Sequence, residues 1–366
     1  MKKKLLLCFF VFSILCTSLL SGCGKPAIQK AEEDTLPQTE AVLEETAAEQ
    51  TEETQPPLKE GFLYLTVSSI DFSLVGESED IYVGSIPRED VTWVSEDESV
   101  VTFENGVLTA TGVGSTKVSA SYGDQTLECA VGCLAQTGEE LLALDNAILR
   151  APKRYPPVMS DEPMSYFDDV AIVGDSISQI MSRWELRYNY LGNVDFMVKG
   201  GSSLNGYVRE YVFLFYQGQD RDLDEAVALS SAKKLFIMMG QNDLSYMTLE
   251  ETMANWEILL NRILEKRPDI EIYLQSCIPE WPDHYGDNRK NILIDEHNVA
   301  LKAFAEENGY HFVDIEPYVE DHTNKMASDY NMDDSIHMNE AGCYTWMQAL
   351  KSYAYLQELN LNYAEE

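Results

Sequence analysis

Val170-Ala171-Ile172-Val173-Gly174-Asp175-Ser176-Ile177-Ser178 begins as four consecutive apolar residues and breaks at a glycine into a polar turn. An apolar run without alternation is a strand buried on both faces, the habit of parallel sheets covered by helices. Comparable short runs recur at Val194 to Val198, Lys234 to Met239, Glu271 to Ser276 and His311 to Asp314. Between them lie stretches of helical period, clearest at Leu249 to Lys266 and Asn291 to Asn308, with a last helix from Asn339 to about Leu359. Strands alternating with helices predict a parallel sheet with crossover connections.

The expected fold of residues 166–366 is therefore a three-layer, doubly wound, flavodoxin-like α/β domain. In such sheets ligands meet the chain beyond the carboxyl ends of the strands. Four segments stand there: Gly174-Asp175-Ser176-Ile177-Ser178, Gly200-Gly201-Ser202-Ser203, Gly240-Gln241-Asn242-Asp243 and, before the last helix, Asp334-Ser335-Ile336-His337. A serine at a strand-to-helix turn is exposed and sits where backbone N–H groups favour a developing negative charge. It still requires a base, normally a histidine whose second nitrogen is held by a carboxylate. Ser176, His337 and Asp334 are the candidate triad. The Asn242 amide and a backbone N–H from Gly200 to Ser203 can supply oxyanion donors.

Each segment alone also reads as ordinary structure: a turn, a helix cap, a surface Asp-His pair. In this order and strand context they resemble the SGNH/GDSL hydrolase family (lipases and acylhydrolases) over roughly Phe167 to Leu359, helped by Pro279 and by Asp334-Ser335-Ile336-His337-Met338-Asn339-Glu340-Ala341-Gly342. The resemblance implies the Ser176 N–H as one oxyanion donor and a second-block glycine as another. Gly201 is the expected donor, with the registers through Gly200 and Ser203 left open. Asp175 and Asp243 read as loop-fixing acceptors, His297 and His311 as structural, and His322 as part of a polar loop. Trp281, His284 and Tyr285 follow the fourth strand, where the aromatic rings either pack or stack on a sugar. Neither G-x-G-x-x-G nor G-x-x-x-x-G-K-[ST] follows the first strand, which speaks against a nucleotide site. No cofactor or metal is expected.

The N-terminal half differs. Met1-Lys2-Lys3-Lys4, an apolar run to Leu20 and Leu20-Ser21-Gly22-Cys23 read as a lipoprotein signal peptide over 1–22, with Cys23 lipidated and anchoring the chain to the outer side of a bacterial cell membrane. Residues 23–60 read as a disordered acidic linker. Short alternating runs over 61–134, with a hairpin signal at Asn105-Gly106, predict a small β-sandwich. Trp93 to Val101 with Gly106 to Ala110 and Gly112-Val113-Gly114 resembles the bacterial group-2 Ig-like domain, which implies a core role for Trp93 and a module that spaces or contacts cell-wall glycan. A helix over Thr137 to Arg150 belongs to a connector, 135–165.

Of the seven cysteines, Cys8 and Cys16 leave with the leader and Cys23 carries lipid, so Cys129, Cys133, Cys277 and Cys343 remain, without disulfide or zinc spacing. Acidic residues number 62 against 26 basic, a formal charge of −36, which argues against nucleic acid as a partner. The expected function is an extracytoplasmic serine esterase acting on small acyl, chiefly acetyl, esters of small molecules or polysaccharides. The alternatives are a glycan O-acyltransferase with the same triad and a non-catalytic surface adhesion protein.

Overall fold

The structure is a computed structural model that describes residues 63–144, 154–281, 289–333 and 335–358. The leader, Cys23, the linker, His284, Tyr285 and Asp334 lie outside the described residues.

The N-terminal part is built from β1 (Leu63–Leu65), β2 (Ser69–Leu74), β3 (Ser78–Asp80), β4 (Tyr82–Gly84), β5 (Thr92–Ser95), β6 (Val101–Glu104), β7 (Val107–Ala110), β8 (Gly114–Tyr122) and β9 (Gln125–Ala135). Asn105 and Gly106 take φ of 53° and 88° between β6 and β7, the positive pair that a two-residue hairpin turn demands. One sheet runs β2-β9-β8-β5, a second β3-β7-β6, and β1 pairs with β4. They close on one core that includes Ile70, Phe72, Ile81, Val101, Leu108, Val118 and Val131. Trp93 packs edge-on to Tyr82 and against Phe103 at this core. The polar-looking strand β2 was not among the expected ones. It pairs in parallel with β9, a long-range partner that leaves no local signature.

After Thr137, whose hydroxyl caps α1 (Gly138–Ala143), the helix stops where Leu144 turns extended, ψ 156°. The rest of the helix expected to Arg150, residues 145–150, lies outside the described residues. The connector returns as β10 (Arg154–Tyr155), which adds to β2.

The α/β part contains β11 (Val170–Gly174), α2 (Ser176–Tyr188), β12 (Asp195–Val198), α3 (Leu204–Val208), the hairpin β13 (Leu214–Tyr216) and β14 (Gln219–Arg221), and α4 (Leu223–Leu229). It continues with β15 (Lys234–Met238), α5 (Leu249–Lys266), β16 (Glu271–Gln275), α6 (Arg289–Asn308), β17 (His311–Val313) and α7 (Glu340–Glu358). Every residue of β11 is buried. The parallel sheet runs β12-β11-β15-β16-β17, the doubly wound order with its switch point beside the first strand. Ile172, Phe236 and Tyr273 face α2 and α7 on one side. Ala171, Val173, Leu235 and Ile237 face α3, α4, α5 and α6 on the other. The three layers expected from the sequence are present, and all five strands fall within a residue or two of their expected spans.

The two parts touch. Tyr64 Oη lies 2.6 Å from Ser352 Oγ on α7, Ser73 Oγ 3.0 Å from His322 Nδ1, and the Tyr318 hydroxyl donates to the Thr66 carbonyl at 3.4 Å.

Candidate active site

Strand β11 must end in glycine: a Cβ on Gly174 would fall 2.0 Å from Ser178 Oγ in the first turn of α2. Asp175 then caps that helix, its Oδ1 accepting from the Ile177 N–H at 2.9 Å. Ser176 is the first helical residue, where N–H groups have no intrahelical acceptor and the helix dipole is positive. Across the chain, His337 Nε2 lies 2.9 Å from Ser176 Oγ. The sequence placed these two residues in one site, and the structure brings them to hydrogen-bond distance.

Among the described residues, the carboxylate at His337 Nδ1 is Asp333. His337 Nδ1 bonds Asp333 Oδ2, while Asp333 Oδ1 accepts from the backbone N–H groups of Ser335 at 3.1 Å and His337 at 3.2 Å. One oxygen thus folds the loop and leaves the other facing the ring. The loop is pinned further where the Met332 N–H reaches the His337 carbonyl at 2.9 Å. Burial would raise the pKa of Asp333, but the His337 and Ser335 bonds outweigh it and hold the carboxyl below its ordinary value. The expected carboxylate, Asp334, lies outside the described residues. An aspartate four residues before the histidine was as visible in the sequence as one three before it.

Asn242 Nδ2 sits 2.8 Å from the Ser202 carbonyl and 3.1 Å from Asp175 Oδ2, so the third block is tied to the first two. Asp243 accepts from the Leu204 and Asn205 N–H groups, each at 2.9 Å, and fixes the start of α3. Both aspartates are loop-fixing acceptors, as expected. Asp175 is fully enclosed, and burial pushes its carboxyl up to about 6 despite the Ile177 bond and the nearby His337.

In the second block, a Cβ on Gly200 would stand 3.9 Å from Ser176 Cβ and 3.0 Å from Gln179 Oε1, whereas Gly201, at φ 71°, faces open space. The Ser202 N–H is occupied by the Lys199 carbonyl at 3.2 Å. Ser203 caps α3 through Gly206 and receives the Tyr246 hydroxyl at 2.8 Å, a neighbour that the sequence did not reveal. Gly200, rather than Gly201, is the glycine packed beside the nucleophile.

His297 and His311 are structural. His297 is buried, accepts from Trp256 Nε1 at 3.1 Å and is pushed down to about 4 by that burial. His311 stacks on Tyr273. Trp281 packs partly buried on the α2–α7 core.

Residues 172–343, just under half of the chain, match the GDSL-like lipase/acylhydrolase family. A search of curated sequences finds no match. Among solved structures, a GDSL-like lipase from Bacteroides thetaiotaomicron is similar at 20% identity over 54% of this chain and 92% of its own, with a TM-score of 0.41. A carbohydrate esterase family 3 protein from Talaromyces cellulolyticus is similar at 14% identity over 53% and 99%, TM-score 0.39. A catalytic variant of an acetylxylan esterase from Geobacillus stearothermophilus is similar at 15% identity over 57% and 100%, TM-score 0.36.

Proposed function

We propose that the α/β domain, a GDSL-like acylhydrolase domain over residues 172–343 and so the seat of a carboxylic ester hydrolase, cleaves small O-acyl esters, chiefly acetyl esters of carbohydrate, outside the cytoplasm. The observation that carries the mechanism is the 2.9 Å contact between Ser176 Oγ and His337 Nε2 with Nδ1 engaged by Asp333.

Neutral His337 accepts the Ser176 proton at Nε2 as Oγ attacks the ester carbonyl, and the Nδ1–H bond to Asp333 fixes the ring and stabilises the imidazolium that forms. The tetrahedral oxyanion is received by the Ser176 N–H, by an N–H of the Gly200 to Ser203 turn, where Gly200 packs beside Ser176, and by Asn242, whose amide gives up one of its two present acceptors, the Ser202 carbonyl or Asp175 Oδ2, to do so. His337 then returns the proton to the leaving alcohol. A water attacks the acyl-serine by the same route and releases the acid.

Three sequence features support the outer location and substrate class: the lipobox ending at Cys23, the acidic linker, and the Ig-like pattern of the β domain. The β domain serves as a spacer or glycan contact between anchor and enzyme. Fatty-acid analogue labelling of Cys23→Ala at the wild-type level would refute the anchor.

The decisive test of the function is fluorophosphonate labelling together with acetate release from acetylated glycans. Wild-type protein labels and releases acetate, and Ser176→Ala does neither. Undiminished turnover by Ser176→Ala would overturn the reading.

A further inference from the structure

Ser176 opens α2, and His337 stands three residues before α7. The first turns of both helices therefore leave the catalytic pair together. Along α2, Ser176, Ile180, Trp184 and Tyr188 recur every fourth residue, which places them on one stripe of the helix. From Ser176 to Tyr188 that stripe runs about 18 Å at 1.5 Å per residue, the length of a short oligosaccharide. At its far end the Trp184 and Tyr188 rings lie 6.1 Å apart at 12°, Tyr188 and Tyr190 5.3 Å apart at 25°, and Tyr190 meets Tyr344 of α7 edge-on at 4.9 Å.

These rings are not sealed into the core. Trp184, Tyr190 and Tyr344 are only partly buried, and Tyr188 is 36% exposed. Beside them opens a cleft of about 590 Å³ lined by Asp161, Tyr190, Asn339, Glu340, Ala341 and Tyr344. Its polar groups are hydrogen-bonding rather than ion-paired. The Tyr344 hydroxyl donates to Asp161 Oδ1 at 2.7 Å, and the nearby Glu340 carboxylate holds the Tyr188 hydroxyl above its ordinary pKa. Neither carboxylate has an ion-pair partner among the described residues. Arg187 covers the outer rings, 5.8 Å from the Trp184 ring and 5.0 Å from Tyr188.

We infer that this cleft, lined by Tyr190 just beyond α2 and by the first turn of α7, is a binding groove for a neutral sugar chain whose ester is delivered to Ser176. The C–H faces of sugar rings carry slight positive charge and suit the negative faces of exposed aromatic rings. Sugar hydroxyls are donors that carboxylates accept strongly. Asp161 and Glu340 in an acidic molecule disfavour a polyanionic chain, so the occupant is uncharged along its length. The inference rests on the ester-hydrolase reading for its substrate but not for the binding itself, and two measurements separate them.

In the first, the full chain is assayed on p-nitrophenyl acetate and on O-acetylated xylo-, cello- and chito-oligosaccharides as monomers and hexamers. A lower KM for a hexamer than for its monomer is expected. Trp184→Ala and Tyr344→Ala should each raise the hexamer KM about tenfold, equivalent to about 1.4 kcal/mol, with kcat and p-nitrophenyl acetate turnover unchanged. Equal KM for monomers and hexamers in the wild type, or variants that lose monomer and hexamer turnover alike, would overturn the groove while leaving the esterase intact. In the second, Ser176→Ala protein is titrated with the unacetylated hexamers, following tryptophan fluorescence. Saturable quenching that Trp184→Phe abolishes supports the groove even if no ester is cleaved, and no quenching by any hexamer refutes it.

Discussion

Ser176, His337 and Asp333 form one hydrogen-bonded line, so their removal should not cost independent amounts. Ser176→Ala and His337→Ala should each lower kcat on the order of 10⁶-fold, and the double variant should match the singles, because neither residue has a task without the other. Asp333→Ala should cost less, on the order of 10⁴-fold, since an unsupported imidazole can still accept a proton. Asp334→Ala is the contrasting control, expected to keep near wild-type kcat if Asp333 alone serves Nδ1. Steady-state kinetics on one soluble ester decides the assignment, and a reversed ranking of the two aspartates would return the role to Asp334. Asn242→Ala should lose about 10²- to 10³-fold in kcat, the usual effect of one oxyanion donor; an undiminished kcat would leave Asn242 as no more than the tie between Ser202 and Asp175. At this scale the sequence was legible for Ser176 and His337 because a strand-end glycine turn and a loop histidine have few other uses in combination. The contact of Asp333 with His337 Nδ1 was not, because it depends on how Asp333 Oδ1 folds the loop by accepting from Ser335 and His337.

At the scale of the element, turns rather than helices set the site. Gly240, at φ 108°, leaves no room for a side chain: a Cβ would fall 2.6 Å from His297 Nε2. That histidine is buried against Trp256, so it cannot easily retreat. Gly240→Ala should therefore lower Tm and, by shifting the following Asn242, lower kcat with little change in KM. Differential scanning calorimetry and kinetics on the same sample check both, and a wild-type Tm would mean that the block relaxes freely.

The turn after β17 behaves differently. Glu316 accepts from Asn298 Nδ2 at 2.8 Å, yet burial, helped by Glu320, Asp314 and Asp295, pushes its carboxyl up to about 9. The native state thus keeps a proton that the unfolded chain gives up near the ordinary glutamate value of 4.5. Its stabilising contribution is full below that value and is lost as pH rises toward about 9. Glu316→Gln, neutral at every pH and able to accept the same bond, should flatten the fall of Tm between pH 6 and 9. An unchanged slope would place the titration elsewhere. Regular elements such as the helix Leu249–Lys266 were readable from their period; the structure adds its Thr248–Glu251 capping box. The burial that shifts Glu316 is made by segments distant in sequence and was not.

Over the whole molecule, the β strands of residues 63–135 and the parallel sheet of residues 170–313 each carry their own hydrophobic period in the sequence. The sequence did not show how they join. The joint includes β10 on the edge of β2 and contacts from Tyr64, Thr66 and Ser73 to Ser352, Tyr318 and His322. None of these residues belongs to the Ser176, His337, Asp333 and Asn242 cluster, and that cluster is held by hydrogen bonds within the α/β part. A protein beginning near Thr137 should therefore fold and turn over a small soluble ester at the full-chain kcat. Its stability should nevertheless be lower, because Tyr318 and the Ser352 face of α7 lose their cover and β10 loses its partner strand. For a domain of this size each kcal/mol lost lowers Tm by roughly 2–4 °C, so a fall of several degrees is expected, read by thermal unfolding beside the kinetics. A folded truncation with kcat reduced tenfold or more would show that the β part helps to shape the catalytic loops, and an unchanged Tm would show that the joint contributes nothing to holding the α/β part together.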